Sequence, residues 1–339
     1  MQARDAKAEV PRFVGIDVSR KTLAVAMDGE AAREFHNHEK GWETLIKAVL
    51  KGGRKSVRVV MEATGSYHFD AAAALAAADG IRVMVVNPRS AKAFHLARGK
   101  RAKTDLVDAE SLLEMARRMD FVPWTAPSRT VSELRQLARY VEGMIKDRSR
   151  LKNQLHAATI SKAASQFVSD DLTARIESLD ERIATAESAL AGLVSAEANL
   201  TASVKAMSSV PGIGTATATR LLSEFLVLDP EMTAKQITAY AGLDPRPKES
   251  GTSVRGARGI SRYGNPRLRQ MLYLPALAAQ RSVGPFKHLA ERVAERSGSK
   301  MVGVAAVMRK LLVTAWAVHR TSKTWDPGHA VRGSRAVSP

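Results

Sequence analysis

Four carboxylates in the N-terminal third of the chain have the residue types and positions of metal ligands. Asp17 and Glu62 each follow an apolar run directly, and Asp105 and Asp108 lie three residues apart at the start of a helical stretch. Residues with this spacing share one face of a helix. Because Asp and Glu are hard oxygen ligands suited to Mg²⁺ or Mn²⁺, these acids could hold ions that stabilise the attacking and leaving oxygens at phosphorus.

A serine far downstream is a candidate nucleophile. Ser250 lies in a loop rich in glycine and arginine, and Arg255 and Arg258 follow it. A serine hydroxyl attacks phosphorus only when it loses its proton and the phosphate charge is masked, which guanidinium groups can do. On spacing alone, Ser250, Thr252 and Ser253 cannot be ranked, and a serine in such a loop is usually a turn residue.

The elements around the four acids are those that could bring them together. The pattern predicts two strands over residues 12–27, one strand each over 57–61 and 81–86, and a helix over 104–119 with Thr104 as its N-cap. Strands that later alternate with helices are typical of an α/β layer with a mixed sheet. Carboxylates at strand ends and at a helix start can converge on one sheet edge. A lone Asp or Glu is most often a solvated surface charge, so spacing leaves both interpretations open.

The chain is strongly basic. It has 339 residues, with Lys+Arg 52 and Asp+Glu 34, and its formal net charge is +18. Such an excess favours a polyanionic partner, because phosphates are attracted to it and their counterions are released on binding. Charge alone does not separate DNA, RNA and an anionic membrane. The absence of cysteine excludes a disulfide framework and thiolate metal sites.

The sequence predicts a cytoplasmic protein without a membrane partner. Residues 1–7 are polar and lack the apolar core of a signal peptide. The longest apolar region, 301–318, is interrupted by Arg309 and Lys310. We therefore expect a buried helix there, because two charges make a membrane span costly.

The middle of the chain is predicted to be helical. Pro123 and Pro127 indicate a linker, and residues 163–170 are the predicted turn between two long helices. The second helix carries an apolar seam that steps by three and four: Ile176, Leu179, Ile183, Ala186, Leu190 and Leu193. The seam predicts a coiled coil or a long helical hairpin, and packing within the chain explains it as well as dimerisation does.

Three segments are candidate nucleic-acid contacts. They are the basic run 89–103, the helix-hairpin-helix-like glycine turn 210–214, whose N–H groups could bind a phosphate, and the segment around Ser250. The predicted binding residues are Arg98, Lys100, Arg101, Lys103, Gly212, Gly214, Arg246, Lys248, Arg255, Arg258 and Arg262. A solvated basic loop and a plain helical hairpin are the alternative interpretations of the first two segments.

Short motifs in a fixed order resemble the insertion-sequence-110 family of transposases, which includes related DNA invertases. The motifs are residues 13–19, 61–67, 86–88, 103–109, 210–214, 241–245, 249–251, 254–256 and 264–266. The resemblance covers about residues 12–320. The order and spacing of the motifs make it specific, although no single motif would be.

The resemblance implies a fold class of α/β plus all-α. It implies an N-terminal RuvC-like domain of RNase H fold over 1–122. A linker and coiled-coil helices over 123–200 would assemble protomers into a homodimer and then a tetramer. Residues 201–324 would form a helical C-terminal transposase domain with the helix-hairpin-helix-like element. The Gly-, Pro-, Arg- and Ser-rich segment 325–339 is predicted to be a disordered tail.

The resemblance also implies the chemistry. Ser250 would attack a phosphodiester to form a 5′-phosphoserine and a free 3′-hydroxyl, and strands would then be exchanged and religated. A structured non-coding bridge RNA would pair with donor and target DNA. The active site would be composite, with the metal domain of one protomer facing the serine domain of another. The implied DEDD residues, which would bind Mg²⁺ or Mn²⁺, are Asp17, Glu62, Asp105 and Asp108.

Two alternatives stay open. A DNA invertase or Holliday-junction-resolving nuclease that acts without a guide RNA would use the same acids, but a resolvase needs no covalent serine. A non-catalytic nucleic-acid-binding protein with a decayed metal site would not need all four acids, and this chain has them all. Many members of the resembled family carry serine at the position of Thr252. This departure does not affect Ser250, and it argues against Thr252 as the nucleophile.

Overall fold

The computed structural model describes residues 11–53, 56–99, 104–160, 165–250, 254–281 and 284–327, with the backbone alone from 246 to 258. The chain divides into two compact units, Met1–Ala126 and Pro127–Pro339. The first contains a five-stranded mixed sheet and helices, and the second is mostly helical. The mixed α/β and helical fold class is therefore confirmed at this level.

The first unit is built on a sheet with the strand order β3-β2-β1-β4-β5. Its strands are β1 (Arg12–Val18), β2 (Thr22–Met27), β3 (Arg33–His36), β4 (Val57–Glu62) and β5 (Ile81–Val86). β2 is antiparallel to β1 and to β3, whereas β4 runs parallel to β1 and to β5. The strands predicted over residues 12–27, 57–61 and 81–86 are confirmed, since these apolar segments form β1, β2, β4 and β5 of the sheet.

Helices cover both faces of this sheet. They are α1 (Glu39–Val49), α2 (Phe69–Ala77), α3 (Pro88–Ala97) and α4 (Asp105–Arg118). On one face, Ile16 of β1 and Met61 of β4 are fully buried in a cluster with Leu45 of α1 and Leu75 of α2. Since strand side chains alternate between faces, the neighbours of these residues face the other side.

On the opposite face, α4 crosses β1 at Gly15 in direct backbone contact. A Cβ added to Gly15 would lie 2.1 Å from the backbone nitrogen of Leu113 and 2.2 Å from the carbonyl oxygen of Ala109. Val60 of β4 packs beside this crossing with Leu112 of α4. Only glycine permits this approach, so Gly15 sets the distance between α4 and the sheet.

The second unit begins with two long helices. Its elements are α5 (Arg129–Ile160), α6 (Gln166–Ser195), α7 (Ala198–Ser208), α8 (Thr215–Phe225), α9 (Ala234–Ala241), β6 (Pro245–Ser250), β7 (Val254–Ile260), α10 (Pro266–Ala279), α11 (Pro285–Ser297) and α12 (Lys300–Thr321). α5 and α6 form an antiparallel hairpin, in which Leu151 packs with Leu172 and Arg148 forms an ion pair with Asp180.

The apolar seam of α6 is a packing face within the chain. Ile176, Ile183, Ala186 and Leu190 are buried, and Leu179 and Leu193 are partly buried against the same clusters. Intramolecular packing therefore accounts for the seam. The prediction of a turn over 163–170 is wrong for its second half, because α6 already begins at Gln166, whose Nε2 donates to Oδ1 of Asp170 at 2.8 Å. Residues 163 and 164 lie outside the described residues.

The apolar region 301–318 belongs to a core helix, as expected. Within the described part of the chain, α12 is the one helix long and apolar enough to cross a membrane by length and composition. Its residues Val307, Leu311, Leu312 and Trp316 are buried in the core of the second unit. Packing against α7, α9, α10 and α11 therefore explains its composition.

Two further segments differ from the sequence-based expectation. The segment around Ser250, predicted to be a loop, is a two-stranded antiparallel sheet in which Ser250 pairs with Val254. Its Gly-, Pro- and Arg-rich sequence has no apolar alternation from which strands could be predicted. Trp325, placed at the start of the predicted tail, stacks on Phe286, and its backbone nitrogen donates to Ser209 Oγ at 2.7 Å. Residues 328–339 lie outside the described residues.

Candidate active site

All four candidate acids border one cavity in the first unit. The cavity has a volume of about 810 Å³. The acids on its wall are Asp17, Glu62, Asp105 and Asp108. The sequence predicts them at strand ends and at a helix start, and the structure brings them together around a common space.

Parallel strand pairing explains the positions of Asp17 and Glu62. Ile16 of β1 pairs with Met61 of β4, so the two acids follow at the carboxyl ends of adjacent parallel strands. Asp17 lies two residues after Gly15, which faces α4, and therefore shares that face. By the same alternation, Glu62 lies on the α4 side of the sheet. Both acids have further interactions within the molecule.

The first turn of α4 supplies the other two acids. Thr104 is the N-cap, as predicted, and its Oγ1 accepts a hydrogen bond from the backbone nitrogen of Val107 at 3.3 Å. Asp105 and Asp108 therefore begin the helix, where the positive end of the helix dipole stabilises carboxylates. Asp105 is exposed, whereas Asp108 is only partly so.

A histidine that the sequence analysis did not assign to this site contacts one of the acids. His95 Nδ1 lies 3.2 Å from Oδ1 of Asp108 and 3.0 Å from Oγ of Ser111. His95 belongs to α3, which overlaps the predicted basic run 89–103. The signal for this helix is Asn87-Pro88, because Asn87 Oδ1 accepts from the nitrogen of residue 89 at 2.8 Å and proline is favoured at the first helical position.

The donors around the cavity suit hard divalent cations. Among the described residues, no three Asp, Glu or His side chains are close enough to share one ion. Mg²⁺, however, is usually held by one or two carboxylates, with water and substrate phosphate as the remaining ligands. One or two of the four carboxylates around the cavity would therefore be enough for such an ion. Arg20 and Lys92 also border the cavity and could contact phosphate oxygens.

The predicted nucleic-acid contacts of the first unit are only partly described. Lys100, Arg101 and Lys103 lie outside the described residues. Arg98 is exposed at the C-cap of α3. Its Nη1 donates to the carbonyl oxygen of Glu110 at 3.2 Å and to Ser111 Oγ at 3.3 Å. In the free protein, this guanidinium therefore fixes α3 to α4.

The glycine turn between α7 and α8 has one packed and one open glycine. Gly212 has φ +87°, and a Cβ there would lie 2.4 Å from the carbonyl oxygen of Pro275, so its role in the described fold is close packing. Gly214 is the exposed N-cap of α8, with open space around it and no capping side chain. The N–H groups that a phosphate could reach are therefore those that follow Gly214.

The candidate nucleophile belongs to the second unit. Ser250 ends β6. Its side chain, like those of Arg246, Lys248, Arg255 and Arg258, lies outside the described residues. The last predicted contact, Arg262, is exposed, has φ +57°, and donates its backbone N–H to the carbonyl oxygen of Gly242 at 3.1 Å.

A buried carboxylate of α8 anchors the start of α10, the helix that follows strands β6 and β7. Glu224 of α8 is fully buried, and its oxygens accept from Arg139 at 2.7 and 3.1 Å and from Arg135 at 3.3 Å. Burial raises the pKa of Glu224, but the two arginines offset this, so the net pKa is lowered. Asn265 donates to Glu224 at 3.0 Å and caps α10 by accepting from the nitrogen of Arg267 at 3.0 Å.

Comparisons with known proteins find family models and relatives that match this chain. Residues 14–159 match the model of a DEDD transposase domain of IS110 elements, and residues 204–291 match the model "Transposase IS116/IS110/IS902 family". Pilin gene-inverting proteins of Moraxella bovis and Moraxella lacunata are each 25% identical over 324 residues, covering 93% of this chain and 97% of the relative. A 44.8 kDa protein of insertion element IS116 from Streptomyces clavuligerus is 24% identical, covering 94% and 97%.

Proposed function

Because this chain belongs to the IS110 family of transposases, we propose that it is an RNA-guided recombinase that cleaves, exchanges and religates DNA strands at specific sites. Family membership makes the chain an enzyme of DNA recombination, and its substrates are DNA. The guide RNA, the metal site, the covalent serine and the assembly of protomers are parts of our proposal.

The observation that carries the proposal is the convergence of four acids on one cavity. Asp17, Glu62, Asp105 and Asp108 would hold Mg²⁺ or Mn²⁺ there. When bound, these ions supply positive charge that stabilises the additional negative charge of a phosphoryl transition state. The mixed sheet with helices on both faces supports our assignment of an RNase H-like, RuvC-like domain.

Ser250 is the proposed nucleophile. Its hydroxyl oxygen bonds to phosphorus and loses its proton, the bond from phosphorus to the 3′ oxygen breaks, and that oxygen gains a proton. The products are a 5′-phosphoserine and a 3′-hydroxyl, and attack by another 3′-hydroxyl reverses the step on the exchanged strand. Each step forms one phosphoester bond and breaks another, so religation needs no external energy source.

The proposed assembly is a homodimer that pairs into a tetramer, with acids and serine supplied by different protomers. The four acids and Ser250 belong to different compact units, which is compatible with such sharing. Ile160 and Phe167, near the end of the α5–α6 hairpin, are 71% and 81% exposed. Two exposed apolar side chains at this end of the hairpin are compatible with a role of the hairpin in assembly.

Recombination between two plasmids tests this function. The protein is incubated with donor and target plasmids, Mg²⁺, and an RNA transcribed from the DNA that flanks its gene. We expect junction products that need both RNA and Mg²⁺ and that Asp17→Asn and Glu62→Gln abolish. Asp79→Asn, an exposed acid of the same unit, should leave them unchanged. Products that form after complete RNase treatment would contradict guidance by RNA.

The second candidate is a DNA invertase that acts on DNA alone. Two relatives named as pilin gene-inverting proteins align with 93% of this chain, and this likeness favours the candidate. In the plasmid assay, an invertase would recombine inverted sites on one molecule without added RNA. The orientation and RNA dependence of the products therefore separate the two candidates.

A further inference from the structure

His95 joins helix α3 to the acid-bearing turn of α4. Its side chain is 14% exposed, and its Nδ1 lies within hydrogen-bonding distance of both Ser111 Oγ, at 3.0 Å, and Asp108 Oδ1, at 3.2 Å. The imidazole also borders the cavity that the four acids surround. The histidine therefore touches a candidate metal ligand from a separate helix.

The hydrogen-bond partners favour a hydrogen on Nδ1 of His95. Ser111 Oγ donates its one hydrogen to the carbonyl oxygen of Val107 at 3.1 Å, so it accepts from His95. A carboxylate oxygen of Asp108 can also only accept. A hydrogen on Nδ1 of His95 would satisfy both acceptors, since Nδ1 lies within hydrogen-bonding distance of Ser111 Oγ and of Asp108 Oδ1.

Neighbouring contacts hold the imidazole in this position. Ala91 of α3 is buried in the cluster that α4 forms with the sheet, one helical turn before His95. Arg98, after His95, donates to Ser111 Oγ and to the carbonyl oxygen of Glu110. α3 is thus tied to α4 on both sides of the histidine, and the imidazole has little freedom to leave the acid.

From this geometry we propose that His95 is a positioning residue for Asp108. Its Nδ1–H holds Oδ1 of the carboxylate, which fixes the rotamer of Asp108 and leaves the other oxygen to bind a cation. This inference rests on the proposed metal site. Removal of a group that hydrogen-bonds to a ligating carboxylate commonly lowers metal affinity or activity by about 10- to 100-fold.

Three substitutions of His95 separate this role from others. His95→Asn keeps an N–H at the position of Nδ1, whereas His95→Gln moves the N–H to the position of Nε2 and His95→Ala removes it. Asn and Gln are both neutral amides, so their comparison stays valid even where Ala prevents folding. His36→Ala is the control, because His36 is an exposed histidine of the same unit that stacks on His38.

Binding of Mn²⁺ to the full-length protein, measured by calorimetry without DNA, is the first readout. We expect His95→Ala and His95→Gln to bind Mn²⁺ about 10- to 100-fold more weakly, and His95→Asn and His36→Ala to bind nearly as the parent does. In DNA cleavage, the same two weak binders should need more Mg²⁺ for half-maximal rate and should recover most of the rate at saturating Mg²⁺.

The outcomes distinguish this inference from the proposed function. Unchanged Mn²⁺ affinity in His95→Ala and His95→Gln would overturn the positioning role and leave the metal site standing. Equal losses in His95→Asn and His95→Ala would also overturn it, since the Nδ1 donor would not be the group that matters. If the parent protein bound no Mn²⁺, the metal site itself would be wrong and the inference would fall with it.

Discussion

The side-chain nitrogen of Asn265 donates a 3.0 Å hydrogen bond to Glu224, a carboxylate that has no solvent exposure. The same asparagine caps α10, so the start of α10 is tied to a buried charge of α8. The Gly264-Asn265-Pro266 motif that belonged to the family resemblance thus has a structural explanation. It joins the end of the Ser250 hairpin segment to the core of the second unit.

Removal of the buried carboxylate should destabilise the second unit strongly. Glu224→Ala leaves Arg135 and Arg139 without their common partner, and we expect a loss of about 3–5 kcal/mol in the free energy of unfolding. Urea denaturation followed by circular dichroism measures this loss. Glu231→Ala is the matched control, because Glu231 is 81% exposed in its ion pair with Arg320, and it should change stability by less than about 1 kcal/mol. Comparable losses in the two variants would contradict the role of the buried pair.

A second carboxyl near this cluster should make stability depend on pH. Burial raises the pKa of Glu142 from 4.5 to about 7, against the lowering effect of Arg220 and Arg267. Its Oε2 lies 3.7 Å from Nη1 of Arg267, which is too far for a hydrogen bond. Because the folded state binds this proton more tightly than the unfolded state, the contribution of Glu142 to stability falls as pH rises from 4.5 to 7.

The variant Glu142→Gln tests this dependence. It carries no charge at any pH, so its stability relative to the parent should increase between pH 5 and pH 8, by on the order of 2 kcal/mol. Urea denaturation at several pH values provides the comparison. Glu133→Gln, an exposed position on the same helix, should show no such trend. A constant difference for Glu142→Gln across the range would show that the carboxyl ionises as in the unfolded chain.

A methyl group added at Gly15, where α4 crosses β1, should strongly reduce the stability of the first unit. In Gly15→Ala, the new Cβ would meet the backbone of Leu113 at 2.1 Å, so the helix must move or the unit must unfold. We expect a loss of about 1–3 kcal/mol or more in stability and the loss of DNA cleavage. Thermal unfolding and the plasmid assay measure the two effects. Gly192→Ala, in open space on α6, should be neutral or slightly stabilising.

The covalent step predicts a stable adduct on a suicide substrate. On a nicked DNA that cannot be religated, the parent protein should form a covalent protein–DNA complex visible on a denaturing gel. Ser250→Ala should abolish the adduct because this variant lacks the hydroxyl oxygen that would bond to phosphorus. Thr252→Ala and Ser253→Ala, neighbours in the sequence, should retain it. An undiminished adduct in Ser250→Ala would remove that serine from the mechanism.

Local signals in the sequence were enough to predict the elements that carry the acids. The apolar runs before Asp17 and Glu62 and the cap at Thr104 depend on residues close in sequence, and the structure confirms these elements. The contact of His95 with Asp108 depends on how α3 packs across α4. Ser250 pairs with Val254 in two strands whose sequences show no apolar alternation. Such relationships depend on tertiary packing, which a periodic pattern does not encode.

The buried network around Glu224 is a further example. Its arginines on α5 are 85 and 89 positions away in sequence, and each of them alone resembles an ordinary surface residue of a helix. Only the packing of α5 on α8 reveals that the charges meet. The apolar seam of α6 predicted that the helix was packed, but it could not predict which helices share its core.

The bare backbone contact at Gly15 also has a dynamic consequence. Side chains between a helix and a sheet exchange rotamers and let the two elements shift by fractions of an ångström. At this crossing, peptide groups meet peptide groups, so rotamer exchange cannot change the separation there. Rotamer changes at this crossing therefore cannot alter the spacing between the carboxylates that follow the strands and those on α4.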